Sequence, residues 1–567
     1  MNNSKKVGVW VACVVVLFIG IFIVINAVSG NSDTNTTKTN SSVTEENYIQ
    51  VLQEAAVRVK NTENTATKGT VSYEDTAAEV ELPDIDKSYP KLINPNADTV
   101  VEIFVSPEKA GNGNDGWMLE LAKKFNNTKP TASDGSSIAI EIRSMSSGPQ
   151  YDYVNTGVYV PQAISPSASM WGEMLENDGV ELTTILDKTV GNTAGILINK
   201  ANYDTVAAEY GEVTVATIVK ATTDGKMTMG YTNPFSSTTG LNFIASALYS
   251  FDNANPLSTA SVEKFNAFQA NVPFVAFNTS QMKKAAENGT FTCFINEYQA
   301  YMNDASMQNN YQFIPFGIRH DNPLYAIGTL TNNQQEALQQ FADYITTSEA
   351  VNLATEYGFN KMDDYKSNEN VNGNAWVQMQ KLWKQNKNTA KPIAAVFVLD
   401  TSGSMSGEPM NQLKTSLTNS MKYINSTNYI GVVSYASNVN VDLPIGVFDI
   451  NQQAYFMGAV TGLQASGGTA TYSALAKSAV MLNDFMQTNP NVQPMIFLLS
   501  DGEQNEGASL NSITDALKIS NIPVYTIGYN ANLAELKTVS DINEAASIDA
   551  DSDDVVYQLK NLFNANL

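Results

Sequence analysis

Five oxygen-bearing residues sit just past predicted strands or in the loops beside them: Asp400, Ser402, Ser404, Thr469 and Asp501. An unbroken apolar run over 393–399 ends at Asp400-Thr401-Ser402-Gly403-Ser404, and a second over 494–499 ends at Ser500-Asp501-Gly502. Gly467-Gly468-Thr469 lies between them in sequence. All five side chains offer hard oxygen and none offers nitrogen or sulfur, which suits Mg²⁺ first and Mn²⁺ or Ca²⁺ next. Two carboxylates only neutralise a divalent ion, and hydroxyls add no charge. Such an ion stays electrophilic and keeps water-filled positions that an acidic group from another molecule can take.

Elements must hold these loops at one edge. The run 393–399 suits a strand buried on both faces of a parallel sheet. Met410, Leu413, Leu417, Met421 and Ile424 then recur at helical spacing. Further strands are predicted over 429–435, 439–443 (as an edge), 494–499 and 524–527, with helices after Thr469, over 511–520 and over 555–563. Strands alternating with helices specify a doubly wound α/β sheet, whose ligands bind at the carboxyl ends of the strands.

The Asp-x-Ser-x-Ser, Gly-Gly-Thr and Ser-Asp-Gly segments in this context resemble the von Willebrand factor type A domain with its metal-ion-dependent adhesion site. The resemblance covers about 391–567 and implies a Rossmann-like fold. It also implies that Asp400, Ser402, Ser404 and Thr469 are metal ligands, with Asp501 the second acid. None of the five positions departs from the pattern. The family implies binding to a protein through the ion, not catalysis. From 391 to 567 there are 7 Lys, no Arg and 16 Asp plus Glu. A partner that inserts one carboxylate from an otherwise basic or neutral face would suit such a field.

Residues 91–390 are read as a second, two-lobed α/β domain. Strands are predicted near 99–105, 137–142, 195–198 and 226–230, and Pro234-Phe235-Ser236-Ser237-Thr238-Thr239-Gly240 opens a helix. Hydroxyls and free N–H groups at a helix N-terminus favour an anion, although the same residues make ordinary caps. This segment, with Ser348-Glu349-Ala350 and Tyr357-Gly358-Phe359, resembles extracellular solute-binding proteins, including binders of sulfate- or molybdate-like anions. The candidate ligand contacts are Ser146, Ser147, Ser236, Ser237, Thr238 and Thr239. Ser165, Ser167 and Ser169 are weaker candidates. Arg319 and His320 read as an exposed pair.

Residues 7–25 are all apolar or glycine, after Lys5 and Lys6. As a helix they span about 28 Å, close to a bilayer core. The positive flank puts the rest outside the cell membrane as a single-pass signal-anchor over 1–30, with a cleaved signal peptide as the alternative. Residues 31–90 read mostly as a polar stalk, with one short helix suggested by Ile49, Val51, Leu52, Ala55, Ala56 and Val59. The composition excludes whole classes. The net charge is −24 over 567 residues, which argues against nucleic acid. One histidine and two cysteines exclude His- or Cys-cluster metal sites and a disulfide framework. No nucleophile–base constellation or phosphate loop appears, so an enzyme is not expected. The reading is a bacterial membrane-anchored extracellular protein for metal-dependent protein adhesion. The alternative is a solute-binding or sensing component of a transport system that recruits a partner through its C-terminal domain.

Overall fold

The computed structural model describes residues 43–71, 82–269, 271–272, 274–276, 282, 291–367, 369–386, 392–502, 504–529, 533–542, 547–549, 559 and 563. The 7–25 run lies outside them, as do most of 555–563. Among the described residues no helix is long and apolar enough to cross a membrane.

The C-terminal part is a seven-stranded sheet. Its order is Asn61–Glu63, Val439–Val447, Tyr429–Tyr435, Ile393–Asp400, Gln493–Ser500, Val524–Gly528, Ser547–Asp549. Only Val439–Val447 runs antiparallel to its inner neighbour. Every residue of Ile393–Asp400 is buried, as a central strand covered on both faces requires. The chain leaves Ile393–Asp400 toward Tyr429–Tyr435 on one side and later returns to Gln493–Ser500 on the other. The loops after Asp400 and Ser500 therefore flank the point where strand order reverses, the usual ligand position in such sheets.

The sheet edge differs from the sequence expectation. Val439–Val447 is not an edge, because Asn61–Glu63 pairs parallel to it outside. The stretch read as a stalk also differs. The helix Tyr48–Ala56 buries Leu52, Ala55 and Ala56 against the helices Thr471–Thr488 and Leu510–Ser520. Ser473 Oγ donates to Ala55 O at 2.9 Å. A strap then continues over the sheet, with Asn64 N donating to Val441 O at 2.9 Å and Gly69 N to Ala454 O at 2.7 Å. Residues 82–90 are bound elsewhere: Arg143 Nη2 reaches Asp86 at 2.6 Å, and Nη1 reaches Tyr89 O at 2.7 Å. Hydropathy hides this docking because three apolar side chains and a row of backbone hydrogen bonds carry it. The chain thus enters through the C-terminal fold, leaves it after residue 71, and re-enters at 392.

The inserted part has two lobes, each around a five-stranded sheet. In order, one holds Ile138–Ser144, Thr99–Val105, Ala163–Ser165, Leu324–Ile327 and Leu182–Leu186. The other holds Tyr311–Pro315, Ala194–Asn199, Cys293–Glu297, Met229–Thr232 and Phe274–Ala276. The chain crosses between lobes after Leu186 and again after Pro315. The helix Gly373–Asn386 packs on Met170–Asn177, with Trp376 and Trp383 fully buried. Cys293 is free and buried.

Candidate functional site

Asp400 ends the central strand with its carboxylate fully buried. Its Oδ1 accepts the backbone N–H of Ser402 at 2.8 Å. Its Oδ2 accepts Ser500 Oγ at 2.6 Å and Tyr435 OH at 3.2 Å. Burial raises the Asp400 pKa, and the hydrogen bonds from Ser500 and Ser402 oppose that rise. The negative charge of Asp501 raises it further, since the two acids face one region. Ser402 Oγ and Ser404 Oγ lie 3.0 Å apart.

Three loops are laced together around these groups. Gly403 N donates to Gly467 O at 3.0 Å and Ser466 N to Thr401 O at 2.8 Å. Gly467 has φ +80, the left-handed region that glycine adopts without strain. Thr469 is buried, and its N–H donates to Asn505 Oδ1 at 2.9 Å. Asn505 and Glu506 return backbone bonds to Thr469 O at 3.1 and 3.2 Å. The sequence reading passed over Ser500, Tyr435 and Asn505. Ser500 was findable as the residue before Asp501; Tyr435 could be found only once strand neighbours were known.

The donor set accommodates a hard divalent ion. Asp501 Oδ1 is buried without a hydrogen-bond partner, and its carboxylate acts electrostatically on Asp400. Among the described residues no three His, Cys, Asp or Glu side chains cluster as a metal site. A polar groove of about 630 Å³ adjoins this edge. The strap residues Asn64–Thr67 (64–67) form one wall, and Thr401, Ser434, Ser466 and Gly467 line the other side.

Between the two lobes lies a cavity of about 470 Å³ that Ser146, Ser147, Ser236, Ser237, Thr238 and Thr239 all line. Five of these six side chains have internal partners. Ser147 Oγ accepts Ser167 N at 3.1 Å, and Ser236 Oγ donates to Asn233 O at 3.3 Å. Ser237 Oγ caps the helix at Gly240 N, Thr238 Oγ1 accepts Trp171 Nε1 at 2.8 Å, and Thr239 Oγ1 donates to Glu297 Oε1 at 3.1 Å. Carboxylates stand on both walls, Glu108 and Asp115 from one lobe and Glu297 from the other. Burial raises the Glu108 pKa, and Glu297 adds to it. Asn114 Nδ2 donates to Asn303 Oδ1 at 2.8 Å and Gln299 Nε2 to Asp115 Oδ1 at 3.0 Å, joining the walls.

Arg319 and His320 are not an exposed pair. His320 is fully buried, its Nδ1 2.9 Å from Glu297 Oε1. Arg319 is bound to Asp363 at 2.7 Å and to Asp321 at 3.1 Å. Their burial follows from the interlobe crossing after Pro315, which the sequence does not mark.

Comparison with known proteins agrees with this architecture. The family model of the von Willebrand factor type A domain matches residues 395–565, and that of the bacterial extracellular solute-binding protein matches 110–360. The chain carries both domains. It is 29% identical to human inter-alpha-trypsin inhibitor heavy chain H6 over 128 residues, which are 21% of this chain and 10% of that protein. It is 27% identical to bovine heavy chain H3 over 154 residues, 25% of this chain and 17% of that one. The chain thus spans a small part of these relatives. Among solved structures it is similar to a von Willebrand factor type A protein from Catenulispora acidiphila, at 21% identity and TM-score 0.28, covering 31% of this chain and 43% of that one. It is also similar to the sulfate-binding protein SubI from Mycobacterium tuberculosis H37Rv, at 14% identity and TM-score 0.34, covering 47% of this chain and 88% of that one.

Proposed function

We propose that this chain, with its adhesion-type and solute-binding domains, is a cell-surface binding protein that holds a protein partner through a divalent ion. Residues 7–25 anchor it and the remainder lies outside the cell. The ion is Mg²⁺, with Mn²⁺ or Ca²⁺ able to replace it. Asp400, Ser402, Ser404, Thr469 and Asp501 would hold it. When bound, it supplies an electrophilic point that an acidic side chain of the partner can occupy. Asp400 is held in place for this by Ser500 and Tyr435. Asn505 fixes the Thr469 loop against the Asp501 loop.

The observation that carries the reading is the unpartnered, buried Asp501 Oδ1, whose carboxylate acts electrostatically on Asp400 at the reversal of strand order. An acidic surrounding surface favours a partner whose face is basic or neutral apart from the inserted carboxylate. Calorimetry on the full-length chain tests the site: Asp400→Ala should abolish Mg²⁺ binding and leave circular dichroism near native. Unchanged Mg²⁺ affinity in that variant refutes the assignment. A second reading, capture of a small solute that is then reported to a partner, is favoured by the interlobe cavity of about 470 Å³.

A further inference from the structure

In the interlobe cavity two of the lining hydroxyls, Ser167 and Thr239, are taken by the chain's own carboxylates. On one wall Glu108 Oε1 accepts Ser106 Oγ, and Ser167 Oγ at 2.7 Å. On the opposite wall Glu297 accepts Thr239 Oγ1 at 3.1 Å and Asn192 Nδ2 at 2.8 Å, with His320 Nδ1 2.9 Å away. Ser106, Ser167 and Thr239 are therefore spent on internal anions, whereas Ser147, Ser237 and Thr238 accept bonds at their oxygens.

No cation compensates these acids within the cavity lining. Lys109 is the nearest basic side chain in sequence, and it is fully buried behind the wall. Its Nζ donates to Ser165 O at 3.0 Å and Ser165 Oγ at 2.8 Å. Burial pushes that amine down to about 7, against the pull of Glu108 and Glu297. Arg319 is bound to Asp321 and Asp363, and His320 sits behind Glu297. The charge of Glu297 raises the Glu108 pKa while Lys109 opposes that rise from behind the wall, and a positively charged guest in the cavity relieves the remaining repulsion.

The geometry points to an organic ammonium compound as the solute of this cleft, seated between Glu108 and Glu297, and not to an oxyanion. A bare metal ion fits the site poorly. The space, about 470 Å³, is far larger than an ion, and no metal-type cluster of three His, Cys, Asp or Glu exists among the described residues. Asp115, held by Gln299 at 3.0 Å, gives a second amino group of a longer guest somewhere to bind. This inference rests on the second reading above, that the cleft takes a solute.

The test is calorimetry on the full-length chain with putrescine and choline as ammonium probes and sodium sulfate and sodium molybdate as oxyanion probes. At least one ammonium probe should bind. Glu108→Gln and Glu297→Gln should each weaken it at least tenfold. Glu108→Gln keeps size and hydroxyl partners, so an unchanged melting temperature in that variant separates lost binding from lost folding. Ammonium affinity unchanged in Glu108→Gln overturns the proposal. Binding of sulfate or molybdate by the parent chain overturns the charge assignment while keeping the cleft as a solute site. Binding of no probe at all overturns the solute reading together with the inference.

Discussion

Gly458 gives a test whose sign depends on the docked strap. It lies inside the helix Ile450–Thr461, where replacing glycine by alanine normally stabilises by about 1 kcal/mol. Here a Cβ on Gly458 would meet Thr67 O at 1.8 Å and Thr67 C at 2.8 Å. Ordinary contact begins near 3.4 Å, and the obstacle is backbone, so the strap must retreat by more than an ångström. That retreat breaks the bonds from Gly69 N to Ala454 O at 2.7 Å and from Asn64 N to Val441 O at 2.9 Å. Each contributes about 1 kcal/mol. It also uncovers Ala66 and Val71, which pack on the core. Against the propensity gain, the net cost of Gly458→Ala is about 1–2 kcal/mol. In a domain of this size that lowers the melting temperature by about 2–8 °C. Differential scanning calorimetry of the full-length chain measures it, with limited proteolysis near residues 64–71 as the companion readout. Gly69→Ala meets Gly458 N at 2.8 Å, so the double variant should cost less than the two singles together. A melting temperature that rises in Gly458→Ala would mean that helix propensity acts alone and the strap is not seated.

Other expectations follow from single contacts. Ser500→Ala deletes the 2.6 Å bond to Asp400 Oδ2 and should weaken Mg²⁺ binding about tenfold by calorimetry; no change would mean that this hydroxyl does not orient the ligand. Burial raises the Glu369 pKa from 4.5 to about 7, with Oε2 lacking a partner. A raised carboxyl destabilises the folded state progressively as pH climbs from about 4.5 to 7, and the loss is complete above that. Glu369→Gln should therefore stabilise the chain at pH 8 by up to about 3 kcal/mol and have little effect at pH 4.5, checked by denaturant midpoints at both. Protease added to intact cells should digest the bulk of the chain if residues 7–25 anchor it with the C-terminus outside. Full protection beside an intact cytoplasmic control would reverse that orientation.

The metal edge was legible because its chemistry is local: acids and hydroxyls crowd directly behind apolar runs, and strand ends are where a parallel sheet places its ligands. Both domain resemblances were carried by such local segments. Partners remote in sequence were not legible. Tyr435 reaches Asp400 only because its strand is the neighbour, and Asn505 reaches Thr469 across 36 positions. The strap was missed because it is held by main-chain bonds and by two glycines in contact, neither of which leaves a hydropathy signal. Glu108 and Glu297 were not legible, because only the folded lobes bring them to one cavity. His320 looked like a surface residue until the second crossing between lobes buried it.

The insertion of one domain within the other has a mechanical consequence. In a chain tethered at its N-terminus and gripped at the ion, the path of tension runs through the 44–71 segment into the sheet. The solute-binding lobes hang to one side as an unloaded loop. The first elements to bear tension are a nine-residue helix and a strand of three residues paired only to Val439, Asn440 and Val441. These should yield before the central strands, where Ile393–Asp400 is hydrogen-bonded on both sides. Peeling them away removes one wall of the groove beside Thr401 and Gly467, so pulling on the N-terminal segment alters the surface next to the loops after Asp400 and Ser500.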